Sequence, residues 1–238
     1  MCQGGWSRSA KKFVYEGVQD CRAVMLIGGD KACSYGCLGY GTCERVCPFG
    51  AITMTGDHLP FVDIQKCTGC RKCEAACPTQ IIEVLPESKQ VLIACHSKDK
   101  GADTKRSCEV GCIACGICAK ICPFDAPSIK HNLSGIDLNK CTVCGLCVPR
   151  CPTGAITEFI PQRPKAFILS HCTGCRICAE VCPVDAPSGQ VHKLHVIDTT
   201  RCTGCGICTV HCPVQAIDGT FNVTAVFAAA AQRKQEAA

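Results

Sequence analysis

In this chain, 24 cysteines fall into six groups that each end in Cys-Pro, and five of the six share the spacing C-x2-C-x2-C-x3-C-P. The chain has 28 cysteines in 238 residues, a density that indicates a disulfide framework in a short secreted protein. Here the cysteines lie in tight clusters, and no apolar signal segment opens the chain, so we expect a reducing compartment and metal ligation. The five regular groups are Cys67, Cys70, Cys73, Cys77; Cys112, Cys115, Cys118, Cys122; Cys141, Cys144, Cys147, Cys151; Cys172, Cys175, Cys178, Cys182; and Cys202, Cys205, Cys208, Cys212.

This spacing is typical of bacterial ferredoxins, in which three cysteines hold one [4Fe-4S] cluster and the fourth binds the neighbouring cluster. Structural zinc is one alternative, but zinc sites favour two C-x2-C pairs with a longer spacer and do not predict a Cys-Pro ending. Cys108, Cys112 and Cys115 match the spacing of radical S-adenosylmethionine enzymes, but no barrel-sized sequence surrounds them. We therefore predict [4Fe-4S] ligation by each group.

The first group departs from the common spacing. It consists of Cys33, Cys37, Cys43 and Cys47, separated by three, five and three residues. Its ending, CPFGAI, matches the other groups, so we interpret it as half of a ferredoxin with a lengthened first loop.

Four cysteines remain outside the groups: Cys2, Cys21, Cys95 and Cys108. Four thiols are enough for a seventh cluster, but these four are far apart in sequence and none lies in a C-x2-C pair. We expect free, partly buried thiols, with a seventh cluster as the alternative.

The Cys-Pro closures follow one another after 30, 45, 29, 31 and 30 residues, which indicates a repeat of about 30 residues with one insertion. Because the fourth cysteine of a group binds the neighbouring cluster, two repeats make one unit and three pairs hold about six clusters. The predicted fold class is α+β, with tandem bacterial dicluster ferredoxin-like repeats stabilised by their clusters. The predicted parts are an N-terminal extension (1–32), ferredoxin-like pairs (33–94, 112–160 and 161–220), an inserted loop (95–111) and a C-terminal tail (221–238).

Short strand-like runs precede the cysteine groups, for example LPFVDIQKC and LHVIDTTRC, and further apolar runs, QIIEV and GAITEF, follow Cys-Pro. Each repeat is predicted as strand, cluster loop, one or two helical turns, and strand. A hairpin is predicted at 81–97 and a polar loop at 98–107. The tail at 221–238 has helix-forming composition and is predicted either to dock on a partner or to fray.

The formal net charge of +5 treats every cysteine as neutral. Six clusters with four thiolates each carry about −2 apiece, which brings the loaded protein to roughly −7. We therefore expect no nucleic-acid partner. The longest apolar runs are shorter than the roughly 20 residues of a membrane span, and low aromatic content predicts a small core that depends on the clusters. The sequence has no nucleotide-binding loop and no nucleophile elbow, so no catalytic site is predicted on this chain.

The runs GCLGYGTC, CPFGAI and SKDKGADTKRSC carry a more specific signal. With their surroundings, about residues 2 to 158, they resemble the B subunit of Rnf-type ferredoxin:NAD+ oxidoreductase complexes. This resemblance also places cysteine at the four ungrouped positions. It implies a peripheral subunit on the cytoplasmic face of a membrane, which accepts electrons from soluble ferredoxin and passes them to other subunits that reduce NAD+ and move Na+ or H+. We expect this chain to lack the family's membrane anchor and to carry an extra C-terminal dicluster module.

The sequence thus predicts an electron-transfer subunit that conducts one electron at a time through about six clusters. One alternative is a polyferredoxin subunit of a cytoplasmic hydrogenase, a formate dehydrogenase or another multi-subunit reductase. Another is a metal-storage or structural protein without redox activity, which would tolerate irregular cysteine spacing.

Overall fold

The elements of this protein are unusually short. A computed structural model describes residues 1–160 and 163–219, and within them no helix exceeds seven residues and no strand exceeds four. The helices are α1 Cys21–Leu26, α2 Thr42–Arg45, α3 Lys72–Ala76, α4 Gly101–Ser107, α5 Ile117–Ile121, α6 Ile177–Glu180 and α7 Ile207–His211. The strands are β1 Ile52–Met54, β2 Pro60–Val62, β3 Val91–Ile93, β4 Pro127–Lys130, β5 Leu133–Ile136, β6 Ile156–Glu158, β7 Phe167–Ile168, β8 Pro187–Ser188, β9 Val196–Ile197 and β10 Ile217–Asp218. The predicted α+β class is confirmed.

The strands pair in five antiparallel ladders of two strands each within the described residues. Three ladders, β1–β2, β4–β5 and β8–β9, join strands that are neighbours in sequence and lie between two successive cysteine groups. The other two join distant strands. Val91 pairs with Glu158 in β3–β6, and Ile217 pairs with Ile168 in β7–β10. Each of these long-range ladders encloses two cysteine groups and one inner hairpin, so residues 91–158 and 167–218 form two ferredoxin-like modules.

The segment between the second and third groups differs from the sequence prediction in two ways. The hairpin predicted at 81–97 does not form, because only β3 is a strand and it pairs with β6. The segment predicted as a polar loop contains α4. This helix has Asp103 in its first turn and Lys105 and Arg106 in its last, which suits the helix dipole. Its buried Thr104 shares a hydrogen bond with Ser97 at 3.1 Å.

The N-terminal extension packs against the rest of the chain. The backbone N–H of Gln3 donates to the Ala94 carbonyl at 3.2 Å, and Ser9 forms a β-bridge with Cys108. The Trp6 ring stacks on His58 with centroids 3.4 Å apart. The first 32 residues are therefore a structural part of the first pair and of the inserted segment.

The buried core is divided into small clusters that contain many cysteines. In the C-terminal module, one cluster consists of Ala166, Cys178, Ala186, Cys202, Cys208 and Ile217. A separate N-terminal cluster is richer in aromatic groups, since Trp6, Tyr15 and Tyr40 pack with Val24 and Leu38. The helices in 1–160 and 163–219 are too short and polar to cross a membrane. The predicted tail at 221–238 lies outside the described residues.

Candidate iron–sulfur cluster sites

The C-terminal module brings cysteines of two groups together at each of two cavities. One cavity is lined by Cys172, Cys175 and Cys178 of the fifth group and by Cys212 of the sixth. The reciprocal cavity is lined by Cys202, Cys205, Cys208 and Cys182. Each cavity therefore combines three thiols from one group with the fourth thiol of the partner group, as in the ferredoxin exchange predicted from the spacing.

The middle module repeats this arrangement. Cys112, Cys115, Cys118 and Cys151 line one cavity. On the other side, burial is the main cause that raises the pKa of Cys147 to about 12, and the nearby Cys144, Cys141 and Cys122 add to this effect. The last of these, Cys122, is the fourth cysteine of the third group, so the exchange occurs in both directions.

Backbone amides stabilise negative charge on several of these sulfurs. The fourth cysteine accepts a hydrogen bond from the alanine N–H four residues later in three groups. The first cysteine accepts one from a glycine N–H two residues later in two groups. These bonds are Ala51 N to Cys47 Sγ (3.4 Å), Ala186 N to Cys182 Sγ (3.4 Å), Ala216 N to Cys212 Sγ (3.2 Å), Gly174 N to Cys172 Sγ (3.4 Å) and Gly204 N to Cys202 Sγ (3.4 Å).

The alanine in this motif was missed by the sequence analysis. Ala51, Ala126, Ala155, Ala186 and Ala216 are all buried, with at most 2% of their surface exposed. Each follows its Cys-Pro by the same number of residues, so the signal C-P-x-x-A was present in the sequence. A small residue there lets the backbone approach the cysteine sulfur, and the second group has the buried Ile81 instead.

In the first pair, ungrouped cysteines lie close to the irregular first group. Burial raises the pKa of Cys43 to about 11, and Cys21 and Cys77 are close enough to contribute. Burial likewise raises the pKa of Cys37 to about 12, with smaller contributions from Cys2 and Cys21. The first three cysteines of the second group lie near one another. Burial is the main cause that raises the pKa of Cys73, and Cys67 and Cys70 add to this effect. Cys21 therefore lies with the first group.

Cys33 lies instead beside two of the ungrouped cysteines. Its thiol is about 3.5 Å from the position that a Cβ on Gly36 would occupy, and Cys2 Sγ is 3.6 Å from the same position. Burial is the main cause that raises the pKa of Cys108, and the nearby Cys2 and Cys33 add to this effect. Cys33 therefore lies near Cys2 and Cys108, while Cys21 lies near Cys43.

The donor geometry suits clusters better than single ions. In residues 1–160 and 163–219, no group of three or more His, Cys, Asp or Glu side chains is arranged to hold one metal ion. Sulfurs bound to zinc at about 2.3 Å lie within roughly 4 Å of one another. The thiols here instead line the walls of cavities, as ligands of a cluster with its own iron and sulfide atoms must.

Comparison with known sequences agrees with these sites. Models of 4Fe-4S dicluster domains match residues 32–82, 66–126 and 133–183, and a model of a 4Fe-4S binding domain matches 195–218. A protein of Sinorhizobium fredii named as ferredoxin-3 is 30% identical over 80 residues, which are 30% of this chain and 76% of that protein. The chain belongs to the ferredoxin-type 4Fe-4S proteins. The matched ranges do not coincide with the modules 91–158 and 167–218. A dicluster model fits any two successive cysteine groups, so the models pair the groups differently from the strand ladders.

Two further relatives are a subunit of a named complex and a polyferredoxin. The B subunit of the Na+-translocating ferredoxin:NAD+ oxidoreductase complex of Acetobacterium woodii is 44% identical over 142 residues, 59% of this chain and 43% of that protein. The polyferredoxin MvhB of Methanothermus fervidus is 32% identical over 87 residues, 37% of this chain and 19% of that protein. The resemblance to the Rnf-type family is confirmed. The chain spans less than half the length of the Acetobacterium relative.

Proposed function

We propose that this chain is an electron-transfer subunit that carries electrons one at a time through about six [4Fe-4S] clusters. The observation that carries the proposal is the exchange of the fourth cysteine between neighbouring groups. When bound, each cluster would supply a one-electron redox centre. Its ligands would be the 24 cysteines of the six groups, except that Cys21 replaces Cys33 in the first pair. Cys77 would complete the first set, and Cys47 would complete the set of Cys67, Cys70 and Cys73.

The contact between the two modules supports a continuous path. Leu146, Cys205 and Ile207 form one buried cluster, against which Cys144 also packs. The Cys144 thiol belongs to the middle module and Cys205 to the C-terminal module. Ligands of two adjacent sites therefore lie in the same small core, which brings their clusters close enough for an electron to pass between them.

Positive side chains hold the cluster loops of both modules. Lys89 Nζ donates to the Cys141 carbonyl at 3.2 Å, and Lys165 Nζ donates to the Cys202 carbonyl at 2.6 Å. Arg163 donates to the Val143 carbonyl at 2.6 Å. Arg163 is itself paired with Glu158 at 2.5 Å, whereas the charges of Lys89 and Lys165 would compensate the negative charge of four-thiolate clusters. Amide donors and local cations raise the reduction potential of a cluster, and solvent exposure also changes it. We expect reduction potentials of about −400 mV or somewhat lower.

We place the protein in an Rnf-like complex, at the cytoplasmic face of a membrane and attached there through other subunits. Reduced soluble ferredoxin would be the electron donor. The support is the 44% identity to the corresponding component of such a complex. The second candidate is a polyferredoxin subunit of a hydrogenase, formate dehydrogenase or other reductase, which the identity to MvhB favours. Subunits that co-purify with the chain distinguish the two, since an Rnf-type complex brings flavin-containing membrane subunits and the other complexes bring a catalytic metal subunit.

The first prediction concerns the metal content. Protein purified without oxygen is expected to contain at least 24 iron and 24 sulfide per chain, because six cubanes each hold four of both. Iron, acid-labile sulfide and zinc are counted, and the dithionite-reduced protein is examined by EPR for low-potential cubane signals. Stoichiometric zinc with little iron, or iron without such signals, would refute the electron-transfer function.

A further inference from the structure

Two glycines lie between the thiols of three cysteines that are distant in sequence. A Cβ on Gly4 would lie 2.7 Å from Cys108 Sγ and 3.6 Å from Cys2 Sγ. A Cβ on Gly36 would lie 3.5 Å from Cys33 Sγ and 3.6 Å from Cys2 Sγ. The three sulfurs therefore border one region, and the absence of side chains on both glycines keeps space open beside them.

The backbone explains how these cysteines meet. The N-terminal segment lies between two other segments. On one side, Ala10 N donates to the Ser107 carbonyl at 3.0 Å, next to Cys108. On the other side, Ala32 N donates to the Ala10 carbonyl at 2.8 Å, next to Cys33. The hydrogen bond from Gln3 N to the Ala94 carbonyl brings Cys95 alongside Cys2.

Cys95 completes the set of four. Its side chain is half-buried, and burial is the main cause that raises its thiol pKa to about 11. Among the smaller causes are the nearby Cys112 and Cys2. Cys95 thus lies between the N-terminal cysteines and Cys112, the first cysteine of the third group.

A buried cation beside these thiols donates hydrogen bonds to carbonyl groups. Lys31 is only 2% exposed, and its ammonium donates to the carbonyls of Gly4 and Cys37, the latter at 2.9 Å. Among the nearby carboxylates, Asp30 accepts from Tyr40 and pairs with Lys11. The pKa of Asp57 is lowered mainly by the hydrogen bond from Ser7 N, and the charge of Lys31 adds to this effect. Within the described part of the chain, Lys31 forms no ion pair.

A buried ammonium bonded only to neutral carbonyls is costly. The charge of Lys31 also acts on the thiols of Cys33, Cys37 and Cys108, where it opposes the effect of burial on their pKa. A cluster with four thiolates carries about −2 and would supply negative charge directly beside this ammonium. The position of Lys31 is thus a second, independent indication of an anionic group at this place.

We propose that Cys2, Cys33, Cys95 and Cys108 bind a seventh [4Fe-4S] cluster between the first pair and the middle module. This inference rests on the proposed function, and it assigns all 28 cysteines to seven sets of four. The site would connect the first pair to the rest of the chain, because Lys31, whose charge acts on Cys33, also donates to the Cys37 carbonyl, and because Cys95 lies near Cys112. Binding an assembled cluster is balanced without any oxidant or reductant: four S–H bonds are lost, four Fe–S bonds form, and four protons leave.

The test begins with the metal content of the anaerobic full-length chain and of two glycine variants. The wild type is expected to hold about 28 iron and 28 sulfide. Gly4→Ala, whose Cβ would displace Cys108 Sγ, is expected to hold about 24. The control is Gly56→Ala, since a Cβ on Gly56 would have no atom within 4 Å, and it should keep 28. A wild type with 24 iron and six cubanes would overturn the seventh site alone, whereas zinc without iron would overturn the proposed function as well.

Double variants decide which cysteines share a cluster. Cys33→Ala and Cys108→Ala should each lose about four iron, and the double variant should lose no more than either one, because both residues bind the same cluster. Cys33→Ala combined with Cys43→Ala should lose about eight. If Cys33 instead binds the same cluster as Cys43, the variant with both substitutions loses no more iron than either single variant. The proposed ligand set is then wrong.

Discussion

Removing the iron is expected to unfold both ferredoxin-like modules, 91–158 and 167–218. Their helices have four or five residues outside α4, and such helices do not persist in water without tertiary contacts. Their ladders have two to four residue pairs, and isolated two-stranded ladders are at best marginally stable. In the C-terminal module, three of the six buried core residues are cysteines of cluster cavities. Without a cluster, those cavities have no atoms to pack against.

The size of the effect follows from typical energies. Small domains are stable by about 5–15 kcal/mol, and structural metal binding in small cysteine-ligated domains contributes about 10–16 kcal/mol. Loss of the clusters therefore removes as much free energy as the whole native state of such a domain has. We expect the chelated protein to lose its cooperative thermal transition and the amide protection of β3, β6, β7 and β10.

The measurement compares far-UV circular dichroism, thermal unfolding and amide exchange before and after anaerobic chelation. Trp6 is the single tryptophan, so its fluorescence reports separately on the N-terminal aromatic cluster. Reconstitution with iron and sulfide is the control and should restore all signals. An iron-free chain that still unfolds cooperatively at the original temperature would show that the protein core alone stabilises the fold.

The repeating parts of the fold could be predicted because cysteine spacing fixes local geometry. A C-x2-C-x2-C loop, a short helix and a following strand recur in the third, fifth and sixth groups, as in α7 and β10, whereas the fourth group has turns in place of the helix and no strand directly follows the second. The pairing of β3 with β6 could not be predicted in this way. Val91 and Glu158 are separated by two cysteine groups, and the apolar run around β3 fitted a local hairpin equally well.

The inserted segment was misread for a different reason. Its lysines, aspartates and glycine are typical of a loop, and the sequence does not indicate what Thr104 packs against. Helix α4 forms because Thr104 is buried against Ser97 and because Cys108, directly after the helix, bridges to Ser9. The bridge to Ser9 is a tertiary contact with the N-terminal segment, and a local pattern carries no information on it.

The same limit applies to the irregular site. The spacing predicted that Cys33 belongs to the first group, because Cys33 is close in sequence to Cys37. In the structure, the segment 30–37 lies beside the N-terminal residues. Cys33 is therefore near Cys2, and Cys21 is near Cys43. When the ligands of one site come from distant parts of the chain, their positions show no regular spacing in the sequence.

Cys212→Ala is expected to remove the cluster bound by the fifth group and to leave the one bound by the other cysteines of its own group. Cys212 lines the cavity of Cys172, Cys175 and Cys178, and its sulfur accepts a hydrogen bond from Ala216 N at 3.2 Å. Alanine removes one of four ligands together with the acceptor of this bond. The expected loss is about four iron and four sulfide per chain.

A second substitution identifies which cluster is lost. Cys212→Ala combined with Cys175→Ala should lose no more iron than either variant alone, because both residues border one cavity. Combined with Cys205→Ala, whose thiol borders the reciprocal cavity, the loss should double to about eight iron. Val214→Ala is the control, since Val214 lines the same cavity without a ligand atom and should retain all iron. If the pair of Cys212 and Cys205 loses only four, each group binds its own cluster and the exchange that defines the ferredoxin pair does not occur here. The result therefore tests the unit on which the electron path depends, because an exchanged cysteine ties two clusters into one fold and fixes the distance between them.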